Sequence, residues 1–103
     1  MMFRRRFADV IRRQLDFFAR DHRGLIDECV AAERAYNQAD RDDAEERYGD
    51  YQDVVETATE ILADLRDHFA ATLGEDAAEH YEPEFNRAVA KRLPRFSLEI
   101  ENR

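Results

Sequence analysis

Apolar residues recur along this chain at steps of three and four. From Ile11 they run through Leu15, Phe18, His22, Leu25, Cys29, Ala32, Tyr36 and Ala39, with His22 the one polar member. That period matches the 3.6 residues of a helical turn, so the seam predicts a first helix over roughly residues 3–38. A second seam runs Ala44, Tyr48, Tyr51, Val55, Ala58, Leu62, Leu65, Phe69 and Thr72, and stops before Gly74, a residue type that ends helices in a left-handed cap. It predicts a second helix over roughly 43–73. The two are out of phase: continuing the first seam would place Asp43, Glu46 and Asp50 on the apolar stripe. The chain therefore turns near Asp40 to Asp43, where Asp43 and Glu46 have the spacing of a capping box. At 1.5 Å per residue each arm of this antiparallel hairpin would be ~50 Å long.

A third, shorter helix is expected from Glu75 to about Leu93, with Ala78, Tyr81, Phe85, Ala88 and Val89 on one side, Pro83 kinking it or marking its start, and Pro94 ending it. Phe96, Leu98 and Ile100 then alternate with Ser97, Glu99 and Glu101, the pattern of an extended C-terminal arm over 94–103; a further helical turn begun by Pro94 fits the same residues. The first helix carries a second apolar line, Phe3, Val10 and Phe17, which the third helix is placed to cover. The second helix carries its own, Val54 and Ile61 followed by His68. A short third helix cannot cover both lines, and another copy of the chain is the simplest cover. The expectation is an all-α single domain over 1–93 forming a dimeric helical bundle. Its interface would draw on Tyr51, Val54, Ile61, Phe69, Phe96, Leu98 and Ile100.

Composition supports the helical reading, because three Gly and two Pro in 103 residues are too few for turn-rich sandwiches and barrels. Seven Phe and four Tyr supply a core that charged disordered chains lack. One cysteine cannot form an internal disulfide, and the start MMFRRRF has no signal-peptide pattern, which together suggest a cytoplasmic protein. No apolar run approaches the ~20 residues of a transmembrane helix.

Candidate chemistry is thin. The Glu-x-x-His pattern of di-iron bundles is missing, since Ala19, Leu65 and Ala77 stand three residues before His22, His68 and His80. His22 reads as a core histidine in the seam and Cys29 as a small buried hydrophobe. Ser97 is the only serine and has no adjacent base, and no glycine-rich phosphate loop is present. The order of one long helix followed by shorter ones resembles the helical chorismate mutases in outline. That resemblance implies a Lys and several Arg converging in the bundle, which Lys91, near the end, and the run Asp43, Ala44, Glu45, Glu46, Arg47 do not supply. Neither enzyme activity, nor a cofactor, nor a metal is expected.

Charge changes the picture more. The net −8 divides into +4 over residues 1–23, −15 over 24–86 and +3 over 87–103. Such a polar molecule suits head-to-tail contact between copies or one anionic partner surface. Arg4, Arg5, Arg6, Arg12 and Arg13, interleaved with Phe3, Phe7, Val10 and Ile11, are the candidate anion-binding residues. The plainer reading is that they neutralise Asp64 and Asp67, beside which a hairpin would place them. Nucleic acid is disfavoured, because the −15 body repels phosphate. The functional expectation is a small acidic protein acting by protein–protein interaction, as a homodimeric adaptor or regulatory subunit. The alternatives are a peripheral binder of an anionic membrane or nucleic-acid surface and, behind it, a helical-bundle enzyme or metal protein.

Overall fold

The apolar seams do become helices, but the first of them breaks in the middle. The computed structural model describes residues 6–103, which form α1 (Ala8–Asp21), α2 (Arg23–Asn37), α3 (Ala44–Ala70), α4 (Glu75–Arg92) and α5 (Ser97–Glu101), with a 3-10 turn at Pro94–Phe96 and no strand among them. The break is His22, whose φ of −118° and ψ of 32° lie outside the helical region. Gly24, the poorest helix former after proline, follows two residues later. His22 is therefore half-buried at a joint, its ring 5.4 Å from that of Phe18, and is not the enclosed core histidine its place in the seam suggested.

The joint lets the two halves of the seam serve different neighbours. α2 packs along α3, with Cys29 its one fully buried residue, and the Tyr36 and Tyr48 rings meet at 5.2 Å beside the connection. α1 packs instead on α4 and on the C-terminal segment: Phe7 meets Tyr81 edge-on at 5.4 Å and Phe18 meets Phe96 at 6.2 Å. It is the main seam of α1, Ile11 and Leu15, that becomes buried. The expected covering of its second line fails: Val10 is half-buried, Phe17 is exposed, and Phe3 lies outside the described residues.

α3 is the strut that joins the two regions. Beside the predicted Val55, Ala58 and Leu62 it buries a second stripe, Thr59, Ala63, Arg66 and Ala70, again at steps of four and three. Arg66, 4% exposed, shows what lies over that stripe. Its Nη1 donates to Asn86 Oδ1 of α4 at 2.9 Å and to the Ile100 carbonyl of α5 at 3.0 Å, while its Nε donates to Asp67 at 2.8 Å. A buried cation is tolerated when each face of it is bonded in this way. The bond to Ile100 goes to a carbonyl at the end of a short helix whose one backbone donor is the Arg103 N–H, at a long 3.4 Å.

The C-terminal segment folds back onto this stripe and is helical, so the extended arm is replaced by the helical turn that the same residues allowed. Phe96 and Ile100, four apart, are 1% and 0% exposed, whereas Leu98 between them is 75% exposed. Arg95 ties the segment to α2 through Glu33 at 2.6 Å, and Arg103 reaches Glu56 of α3 at 3.0 Å. Two local expectations also change. Asp43 precedes α3 in a helical conformation with no side-chain cap bond, so no capping box forms. Gly74 is extended, at φ −67° and ψ 165°, and starts α4 instead of closing α3 in a left-handed cap. α4 runs through Pro83, which faces solvent.

The expected dimer residues are accordingly dispersed. Phe96 and Ile100 belong to the chain's own core, Tyr51, Val54, Ile61 and Phe69 are half-buried against it, and Leu98 alone stands out from the surface. The whole measures 51 × 24 × 24 Å with a radius of gyration of 15.6 Å, above the ~13 Å of a compact chain this long.

Candidate functional site

α1 and α4 lie side by side and run the same way. At one end the Glu84 carboxylate accepts the Phe7 N–H at 3.3 and 3.4 Å; at the other, Arg92 Nη2 donates to Asp16 at 2.6 Å. Between these ties is a groove of about 500 Å³. Ala8, Ile11, Arg12 and Leu15 line it from α1, and Glu84, Arg87, Ala88, Lys91 and Arg92 from α4. Both sets keep the three-and-four spacing of a single helix face. Ile11 and Leu15 are almost wholly buried in the floor, and the small Ala8 and Ala88 leave the space above it open.

The rim is cationic. Arg12, Arg87, Lys91 and Arg92 face a single acid, Glu84, which is occupied with the N–H of Phe7 just before α1, a position where the helix dipole favours a carboxylate. Arg12 also pairs with Asp9 at 3.1 Å. Among the described residues Arg87 and Lys91 enter no ion pair. In a chain of net charge −8 this is a local reversal of sign, set in a concave surface that concentrates its field. Guanidinium and ammonium groups in such a setting bind carboxylates or phosphates by charge-assisted hydrogen bonds.

The groove rests on a rigid base. Tyr81 of α4 is fully buried between Phe7, Phe69 and Phe85, and its hydroxyl donates to Gln14 of α1 at 2.9 Å. Burial pushes its phenol up to about 12, against smaller opposing effects of the Gln14 bond and of Arg66. α1 and α4 are thus held at a fixed separation by an aromatic cluster below and a polar tie across.

Of the arginines expected to bind anions, Arg12 alone is in the groove. Arg6 lies over the Phe7 ring at 5.4 Å, Arg13 is exposed outside the lining, and Arg4 and Arg5 fall outside the described residues. Among the described residues none of these arginines pairs with Asp64 or Asp67: Asp67 bonds Arg66 and Arg12 bonds its neighbour Asp9. Arg87, Lys91 and Arg92 escaped the sequence reading as site residues. The signal that could have found them is the +3 over residues 87–103 combined with the spacing of 87, 88 and 91 on one helix face.

No cluster of three or more His, Cys, Asp or Glu that could hold a metal occurs among the described residues. No helix there is long and apolar enough to cross a membrane. The Cys29 thiol is free and enclosed, and burial raises its pKa above the ordinary thiol value, with Arg95 opposing, so it stays protonated. No protein family, no curated protein and no solved structure matches this chain.

Proposed function

We propose that this is a small cytosolic helical protein that acts by protein–protein contact, as an adaptor or regulatory subunit, and that its docking surface is the α1–α4 groove. The observation that supports this is the pairing of an apolar floor, Ala8, Ile11, Leu15 and Ala88, with a rim of four cations of which two, Arg87 and Lys91, enter no ion pair among the described residues. A floor of this kind flanked by point charges fits an acidic amphipathic segment, whose apolar residues lie on the alanines while its carboxylates meet the rim.

This moves the expected interface. Val54 and Ile61 suggested a two-fold dimer because they lacked cover, and in the folded chain both are half-buried against the core. The association the chain's polarity supports is electrostatic and centred on the groove.

The test is titration of a labelled acidic amphipathic peptide into the protein, read by fluorescence anisotropy, beside anionic vesicles and a single-stranded oligonucleotide as competitors. The expected result is saturable peptide binding that weakens with added salt and falls about tenfold or more in Arg87→Glu/Lys91→Glu. Peptide binding that ignores both salt and this variant removes the groove as the docking surface. Vesicles or the oligonucleotide outcompeting the peptide assign the surface to lipid or nucleic acid.

A further inference from the structure

The groove has a counterpart on the same molecule. The connection between α2 and α3 and the first turns of α3 carry six carboxylates, Asp40, Asp42, Asp43, Glu45, Glu46 and Asp50, against Arg41 and Arg47. All eight are exposed. Beside them stand two aromatic rings that the fold leaves in solvent, Tyr36 at 37% and Tyr48 at 44% exposure, tilted against each other with centroids 5.2 Å apart. This tip therefore combines what the groove selects for: carboxylates for the rim and an apolar body for the alanine floor.

The two cannot meet within one chain. Tyr81 packs on Phe69 and Asn86 bonds Arg66, so α4 runs back along the far half of α3, and the groove lies level with roughly residues 60–67 of that helix. The tip ends at Asp50, in the first turns of α3, which leaves some 10 residues of helix, ~15 Å, between its nearest acid and the groove, and about twice that from Asp43. At physiological salt even the shorter separation is about twice the ~8 Å Debye length, so the tip neutralises little of its own groove.

We infer that the groove receives the acidic tip of a second copy of this chain, so that the protein associates head to tail. This rests on the groove being a docking surface for acidic segments and names the segment. The contact is heterologous: each copy contributes a groove to one neighbour and a tip to the other. Such contacts propagate into a chain or close into a ring, according to the angle between successive copies. The smallest closed case is a reciprocal pair, with the tip of each copy in the groove of the other. Arg87 and Lys91 are the rim groups available to the incoming carboxylates of Asp42, Asp43 and Glu46, and Tyr48 is the ring placed to lie over Ala8 and Ala88.

Sedimentation velocity on the full chain tests this with two neutralised variants, Arg87→Gln/Lys91→Gln in the groove and Asp42→Asn/Asp43→Asn/Glu46→Gln at the tip. The unmodified protein should sediment faster as concentration rises from micromolar toward millimolar and return to monomer in high salt. Each variant alone should remain monomeric at concentrations where the parent associates, its association weakened about tenfold or more. The tip variant carries the sharper prediction. Neutralising three acids on a chain of net charge −8 lowers the repulsion between copies, so stronger association in that variant overturns the inference. Mixing the two variants should restore one junction, the intact tip of one in the intact groove of the other, and stop at a heterodimer. Assemblies larger than two in the mixture, or no heterodimer, also overturn it. A parent that stays monomeric throughout while the acidic peptide still binds its groove removes the second copy as occupant and leaves the docking surface standing. Failure of both removes the docking surface as well.

Discussion

Residues 30–54, the end of α2, the connection and the start of α3, contain no buried residue, whereas residues 55–70 alone contain seven, and the segment from Tyr81 to Ile100 buries five more. Both regions are helical to a similar extent. The difference is the number of layers. Near the tip two helices face each other and each keeps most of its circumference in water; at the other end α1, α3, α4 and the C-terminal segment surround one another and exclude it. Helical periodicity is satisfied in both places, but stability comes from the packed face and not from propensity. One end is a core that carries a basic groove on its outside, and the other is a charged lever extending from it.

Removing a core ring should show this most strongly. Phe18 is fully buried against Phe96 at the meeting of α1 with the C-terminal segment, and Phe18→Ala should lower the unfolding free energy by ~3–5 kcal/mol in urea titration. A loss below ~1 kcal/mol would mean that the packed end does not hold the fold together. Next comes Arg66→Ala, which strips the Asn86 side-chain oxygen of its donor, leaves the Ile100 carbonyl only the long bond from the Arg103 N–H, and should cost about 2–3 kcal/mol. Hydrogen exchange should place the damage in α5 and α4, with the tip unchanged. Equal acceleration at the tip would show that the two regions open together.

Tyr81 sharpens the comparison through pH. Burial favours its neutral phenol in the folded chain, so its contribution is whole below the ordinary value of 10.0 and declines as the pH rises toward about 12. Stability measured across that window should fall, and Tyr81→Phe should flatten the fall while costing ~1 kcal/mol at neutral pH for the lost bond to Gln14. An unchanged slope in the variant assigns the alkaline loss elsewhere. The smallest effect is expected at the tip, where Tyr48→Ala should change stability by less than ~0.5 kcal/mol. A loss comparable to that of Phe18→Ala would erase the distinction between core and lever.

The sequence showed the helices more readily than it showed what they touch. Seam two predicted Val55, Ala58 and Leu62 correctly as core, and Pro94 and Glu75 bracket the helix that forms, α4. The break at His22 was hidden because a single non-helical residue leaves the three-and-four spacing on either side intact. Phe96, Leu98 and Ile100 were ambiguous for a definite reason: positions 96 and 100 share a helix face, while 96, 98 and 100 share a strand face, so one short segment satisfies both periods. The stripe Thr59, Ala63, Arg66 and Ala70 was obscured by its arginine, a residue type that pattern reading assigns to solvent and that only its bonds to Asn86 and Ile100 explain. The groove was the least legible feature. Its two walls, around Arg12 and around Arg87 to Arg92, are some 75 residues apart in the chain, and nothing local to either announces the other.

The return of Phe96 and Ile100 onto α1 and α3 has a consequence for how the molecule comes into being. Synthesis proceeds from the N-terminus, and domains tend to fold as their residues emerge. Here the tip can pair as soon as α3 is out, but the core cannot close until residue 100 is free, because Phe18 and Arg66 wait for partners placed almost at the last position described. Until then Thr59, Ala63 and the Phe18 ring are open to water and to neighbours. The nascent chain thus passes through a stage in which its lever is built and its core is not, and a ribosome stalled near residue 95 would present a sticky intermediate to whatever chaperone is near.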